Sequence, residues 1–149
     1  MIPALEDVDP NYPWQTLPVG IHDTTLVEIE SRFATTPHRQ MLFSGLKRVA
    51  EDLKGCGVAE LYVDGSFTTS KPHPEDFDGC WNADNVDVTL VMLNHPVLFD
   101  FSSGRAEQKA KYFGEMFLAD DNAAPGLKYL DFFQSTRGRV PKGILRVKL

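Results

Sequence analysis

The sequence predicts an α+β domain with a mixed sheet flanked by helices. Three observations carry this. Leu42, Leu46, Val49 and Leu53 recur at intervals of four, three and four, the spacing of one helix face. Two runs, Val58–Val63 bounded by Gly57 and Gly65 and the β-branched-rich Val86–Leu93, read as strands. A second helical stripe then separates them from two late strands, so helices lead and strands flank a middle helix. A length of 149 residues suits one domain, with residues 1–23 as an arm packed on the body and residues 24–149 as the domain proper.

Each element has a local reason. Pro3, Pro10, Pro13, Pro18 and Gly20 are too many breakers for a helix or an inner strand in the arm. Thr25 and Glu28 form a capping box for a helix beginning near Thr24, with Leu26, Ile29 and Phe33 as its apolar stripe. Thr36-Pro37 is an N-cap followed by the proline favoured at the first helical position, and Gly55-Cys56-Gly57 ends that second helix. Pro96 stops the Val86–Leu93 strand. Ala106, Ala110, Phe113 and Phe117 place a helix over Arg105–Leu118, and Pro125-Gly126 breaks the chain after it. Leu127–Phe133 and Ile144–Leu149 read as the closing strands, joined by a turn at Arg137-Gly138.

Composition removes several classes of function. Fifteen basic against 21 acidic residues leave a net charge of −6 and a pI near 5.1, which argues against broad contact with nucleic acid. No apolar run approaches the ~20 residues that cross a bilayer. The first ten residues hold Glu6, Asp7 and Asp9 and no basic residue, unlike a secretory signal. Cys56 and Cys80 form neither a disulfide framework nor a zinc spacing, and a reduced cytoplasmic setting is expected. His22, His38, His73 and His95 are scattered, with no ligand pair.

The chemistry lies in Tyr62-Val63-Asp64-Gly65-Ser66 and in Asp76-Phe77-Asp78, separated by the nine residues Phe67 to Glu75. Gly65 has no Cβ, so a phosphate can approach its backbone closely. Ser66 adds a hydroxyl beside the N–H groups of the turn. Asp76 and Asp78 on an extended segment project from one face, with Phe77 turned into the core. Two carboxylates so placed, together with phosphate oxygens, are what Mg²⁺ or Mn²⁺ takes as ligands.

This order of motifs resembles the nucleotidyltransferase superfold of the DNA polymerase β kind, over about residues 36–135. More narrowly, Leu17-Pro18-x-Gly20, Asp64-Gly65-Ser66-Phe67-Thr68 with Lys71, and Lys142-Gly143-Ile144-Leu145 resemble small bacterial nucleotidyltransferase-like proteins, some from toxin–antitoxin or defence loci. The resemblance implies Mg²⁺-dependent transfer of a nucleoside monophosphate from a nucleoside triphosphate to a protein or small-molecule acceptor. It implies Asp76 and Asp78 as metal ligands and catalytic groups, and Gly65, Ser66 and Lys71 as phosphate-binding residues. It also implies a third carboxylate on a later strand; Asp131 is the choice, with Asp87 as competitor. Gly79-Cys80-Trp81-Asn82 departs from the family, whose second strand continues in small and β-branched residues, and Gly79 is expected to weaken that strand.

The alternative is a catalytically silent binding module on the same fold, engaging a protein partner such as a cognate toxin. Coincidence of motifs on an unrelated α+β structural protein is the third reading. Locally, His73 reads as a solvated loop residue, Cys80 as a packed thiol, and Arg137, Arg139 and Lys142 as a solvated basic turn.

Overall fold

A computed structural model describes residues 1–149. In chain order the principal elements are β1 (Gly20–Thr24), α1 (Leu26–Phe33), α2 (Pro37–Gly55), β2 (Glu60–Asp64), β3 (Phe77–Trp81), α3 (Val88–Asn94), α4 (Ala106–Tyr112), β4 (Gly114–Leu118), β5 (Asn122–Ala124), β6 (Leu127–Lys128), α5 (Tyr129–Phe132) and β7 (Gly143–Lys148). Five strands form one mixed sheet in the order β1-β7-β2-β3-β4. β1 runs parallel to β7 and β3 parallel to β4, while β2 is antiparallel to both neighbours. The fold is therefore a single α+β domain. No helix is long and apolar enough to cross a membrane.

Strand parity divides the sheet into two faces. Leu61, Val63, Phe77, Trp81, Met116, Leu145 and Val147 join α1, α2 and Tyr112 of α4 in a core of 24 buried residues. The intervening positions Tyr62, Cys80, Phe117 and Ile144 face the other way, into a cluster of only six that Ala119 and Phe133 complete. One face is sealed by helices. The other is half covered, and that leaves room for a site.

Both leading helices start as their caps require. Thr25 Oγ1 accepts from Glu28 N at 3.2 Å, and Thr36 Oγ1 accepts from Arg39 N at 3.2 Å, so each cap satisfies a donor of the first turn. β7 matches the expected last strand within a residue. β1 is an addition: the end of the proline-rich arm, Gly20–Thr24, is an edge strand of the main sheet.

Three expected elements differ. The Val86–Leu93 run is helical from Val88 to Asn94, because the Asp87 carboxylate caps it, accepting from Thr89 N at 3.0 Å. Asp87 is thus committed to a helix end, and β-branched content is overridden by its cap. The helix expected over Arg105–Leu118 stops at Phe113, whose φ of 61° ends α4, and β4 follows at once. Gly114 permits this switch: a Cβ there would lie 2.6 Å from the Phe77 ring. Leu127–Phe133 is not a core strand. Its first two residues pair with β5 in a hairpin and the next four form the turn α5, which removes Asp131 from the sheet.

Gly79 does not weaken β3. It sits in the middle of the strand, opposite Val63 and Met116, where a Cβ would lie 2.3 Å from the Tyr62 carbonyl oxygen and 2.8 Å from Met116 Sδ. The missing side chain is a packing requirement of the sheet.

Candidate metal centre

The site grows out of the sheet register. Asp64, the last residue of β2, pairs with Asp78 of β3, and Asp78 pairs with Glu115 of β4. Residues paired across neighbouring strands point to the same face, so three carboxylates stand in a row on the side that the helices leave open. Asp76 lies two residues before Asp78 and joins that face. One carboxylate oxygen from each of Asp76, Asp78 and Glu115 falls within 4.8 Å of the other two. Three hard oxygen donors at that spacing fit a divalent cation such as Mg²⁺ or Mn²⁺. Phe77, between the two aspartates, is fully buried in the main core and locks the direction of both.

The glycine–serine turn lies directly against this row. Gly65 has φ of 86°, a conformation that side chains rarely adopt, and a Cβ on it would sit 2.8 Å from Asp78 Oδ2 and 2.9 Å from Asp78 N. Ser66–Thr68 then wind a single 3₁₀ turn. Thr68 Oγ1 donates to Gly65 O at 3.1 Å, and Thr69 Oγ1 donates to Ser66 O at 2.7 Å. From beneath, buried Arg39 of α2 donates to the carbonyls of Phe67 (2.7 Å), Thr69 (2.9 Å) and Lys71 (2.5 Å) and, on its own side, of Phe33 (3.2 Å). One guanidinium thus serves the loop from Phe67 to Lys71 as a scaffold.

Four acids on one half-covered face repel, and they are compensated to different degrees. Asp64 is 4% exposed, and Lys142 Nζ pairs with it while also donating to Phe133 O at 2.8 Å. Burial still holds the Asp64 carboxyl above the usual range, against the pull of Lys142. Glu115 is held by Arg105 Nε and Lys109 Nζ, both at 2.8 Å. Asp78 has no such partner: burial first, then the charges of Asp76, Glu115 and Asp64, push its pKa up to about 7. Asp76 is raised by the same causes, burial and then Glu115, and opposed by Lys109 and Lys71. A divalent cation is the kind of charge that would offset what raises this pair.

Of the residues singled out from sequence, Asp76, Asp78 and Gly65 meet at this point, and Ser66 opens the turn beside them. Lys71 lies near enough to bear on Asp76. Asp131 does not join: it sits exposed on α5, outside the main sheet, and Glu115 supplies the third carboxylate. Glu115 was hidden because the apolar spacing of 105–118 mimics one continuous helix, although Gly114 marks the break. Lys142 is no solvated turn residue, since it is the counter-charge of Asp64. His73 is solvent-exposed and stacks on His38 at 3.7 Å between centroids. Cys80 is buried, and burial pushes its thiol far from ionisation.

A family model described as "Family of unknown function (DUF6932)" matches residues 10–148. No curated protein and no solved structure matches the chain.

Proposed function

Since the chain belongs to the DUF6932 family, whose function is unknown, we propose from the site alone that it is a metal-dependent nucleotidyltransferase-like protein. The observation that carries this reading is the convergence of Asp76, Asp78 and Glu115 beside the Gly65-Ser66 turn, in the motif order of that superfold. Asp76, Asp78 and Glu115 are the residues to hold a divalent cation. Bound there, Mg²⁺ supplies Lewis-acid neutralisation of the charge that develops on the α-phosphate and the departing pyrophosphate.

The chain's own groups do the rest. The Gly65-Ser66 turn receives the terminal phosphate through backbone N–H groups and the Ser66 hydroxyl. Arg105 and Lys109, now on Glu115, and Lys71, near Asp76, are the cations within reach of phosphate oxygens. An acceptor hydroxyl attacks the α-phosphorus, the bond to the β-phosphate oxygen breaks, and the hydroxyl proton passes to a site carboxylate. The test is incubation with Mg²⁺ or Mn²⁺ and α-labelled nucleoside triphosphates in the presence of cell extract. Labelled product is expected from the native chain and none from the Asp76→Ala/Asp78→Ala double variant. Equal labelling by both, or by neither, rejects the reading.

One observation favours a silent binding module instead: Glu115 is already ion-paired twice within the chain, an arrangement that neutralises a carboxylate without any metal. Under that reading, a stoichiometric complex with a protein partner such as a cognate toxin survives the double substitution, and no label is transferred.

A further inference from the structure

Beside the three carboxylates lies a cleft of about 270 Å³, lined by Phe101, Arg105, Phe117, Asp121, Asn122 and Tyr129. It continues the site along the sheet. Phe117 follows Glu115 by two residues on β4 and faces the same way, one pleat repeat or about 7 Å further on. Arg105 belongs to both places: its Nε donates to Glu115 Oε2 at 2.8 Å, and its guanidinium lies 5.4 Å from the centre of the Phe117 ring.

The lining has an orientation. Phe101 and Phe117 are parallel within 4°, with centroids 5.9 Å apart, and Phe117 and Tyr129 are parallel within 11° at 4.1 Å. The three ring planes are parallel, and a flat ligand entering the cleft stacks in that same orientation. Asp121 and Asn122 add polar groups at its rim. The Asp121 backbone is fixed from both sides, its N–H donating to Leu118 O at 3.1 Å and its carbonyl accepting from Tyr129 N at 2.9 Å. Its exposed carboxylate accepts hydrogen bonds and donates none.

We infer that this cleft is a nucleobase subsite, in which the base stacks on the exposed ring of Phe101 and Asp121 accepts from an exocyclic amino group. The inference rests on the nucleotidyltransferase-like reading, and it names what that reading leaves open: adenine, guanine or cytosine in preference to uracil. The pleat between Phe117 and Glu115 is the span that a pentose occupies between a base and the phosphates.

The full chain with Mn²⁺ is titrated calorimetrically with inorganic tripolyphosphate, ATP, GTP, CTP and UTP, and, without metal, with adenosine. ATP, GTP and CTP are expected to bind about tenfold or more tightly than tripolyphosphate, with UTP behind them. Phe101 is 46% exposed, so Phe101→Ala spares the core. It should weaken all four nucleotides about fivefold to tenfold and leave tripolyphosphate unchanged. Asp121→Ala should abolish the deficit of UTP. Nucleotides no tighter than tripolyphosphate, indifference to Phe101→Ala, or four equal bases overturns the inference.

The two proposals fail separately. If tripolyphosphate binds through Asp76 and Asp78 while the bases add nothing, the subsite alone is lost. If adenosine binds in a Phe101-dependent way while tripolyphosphate ignores Asp76→Ala/Asp78→Ala, the cleft stands and the transferase reading falls. No binding by any of these ligands overturns both.

Discussion

Asp78 is the residue on which the site's electrostatics turn. Its folded pKa of about 7 stands above an ordinary 3.8, so between these values the native chain holds a proton that the unfolded chain has released. Stability contributed by this group therefore falls as pH rises through that window. In metal-free buffer at pH 8, Asp78→Asn should stabilise the protein by about 1–3 kcal/mol, an advantage that vanishes near pH 4. Urea denaturation at the two pH values checks this. Gly65→Ala should act in the opposite sense. The added methyl collides with Asp78 in a backbone conformation that disfavours it, costing about 2 kcal/mol or more and weakening Mn²⁺ binding, as denaturation and metal titration would show. At this scale the sequence was informative where chemistry is local. Gly65 and the Asp76/Asp78 pair declare themselves by type and spacing. Glu115 and Lys142 do not, because register and a late chain crossing bring them to the site.

Elements were legible where caps and breakers mark them and obscure where propensity competes with a cap. α1 and α2 begin where Thr25 and Thr36 place them. The Val86–Leu93 segment has the composition of a strand, yet Asp87 and the packing of Val91 make it a helix. β4 and α5 show a related difficulty: helical and extended spacings overlap over four or five residues, and only pairing with β3, or its absence, decides between them. The 3₁₀ turn after Gly65 depends on a helix far away in sequence. Arg39→Ala removes a buried guanidinium that serves four carbonyls, and a loss of about 3 kcal/mol or more is expected. Amides of residues 66–71 should exchange faster in this variant under native conditions. Arg39→Lys should recover only part of the loss, since an ammonium has three donors and no planar fork.

At the scale of the whole molecule, the site is a place where folding energy is held against charge repulsion, and a bound cation should return some of it. Saturation with Mn²⁺ at about 100 times its dissociation constant corresponds to about 2.7 kcal/mol. For a chain of this size that is a rise in melting temperature of about 5–10 °C. The rise should be reversed by EDTA and be absent from Asp76→Ala/Asp78→Ala, as a thermal scan would record.

The strand order carries a consequence for biosynthesis. β7 lies second in the sheet, between β1 and β2, although it is the last strand in the chain. A nascent polypeptide that has not reached residue 143 holds β1 without its neighbour and β2 with one open side. Lys142 arrives only with that final strand, so Asp64 is buried with its counter-ion only after translation has delivered the closing segment. Assembly of the acidic face is thereby coupled to completion of the sheet, and a nascent chain in which β7 has not yet been made lacks both.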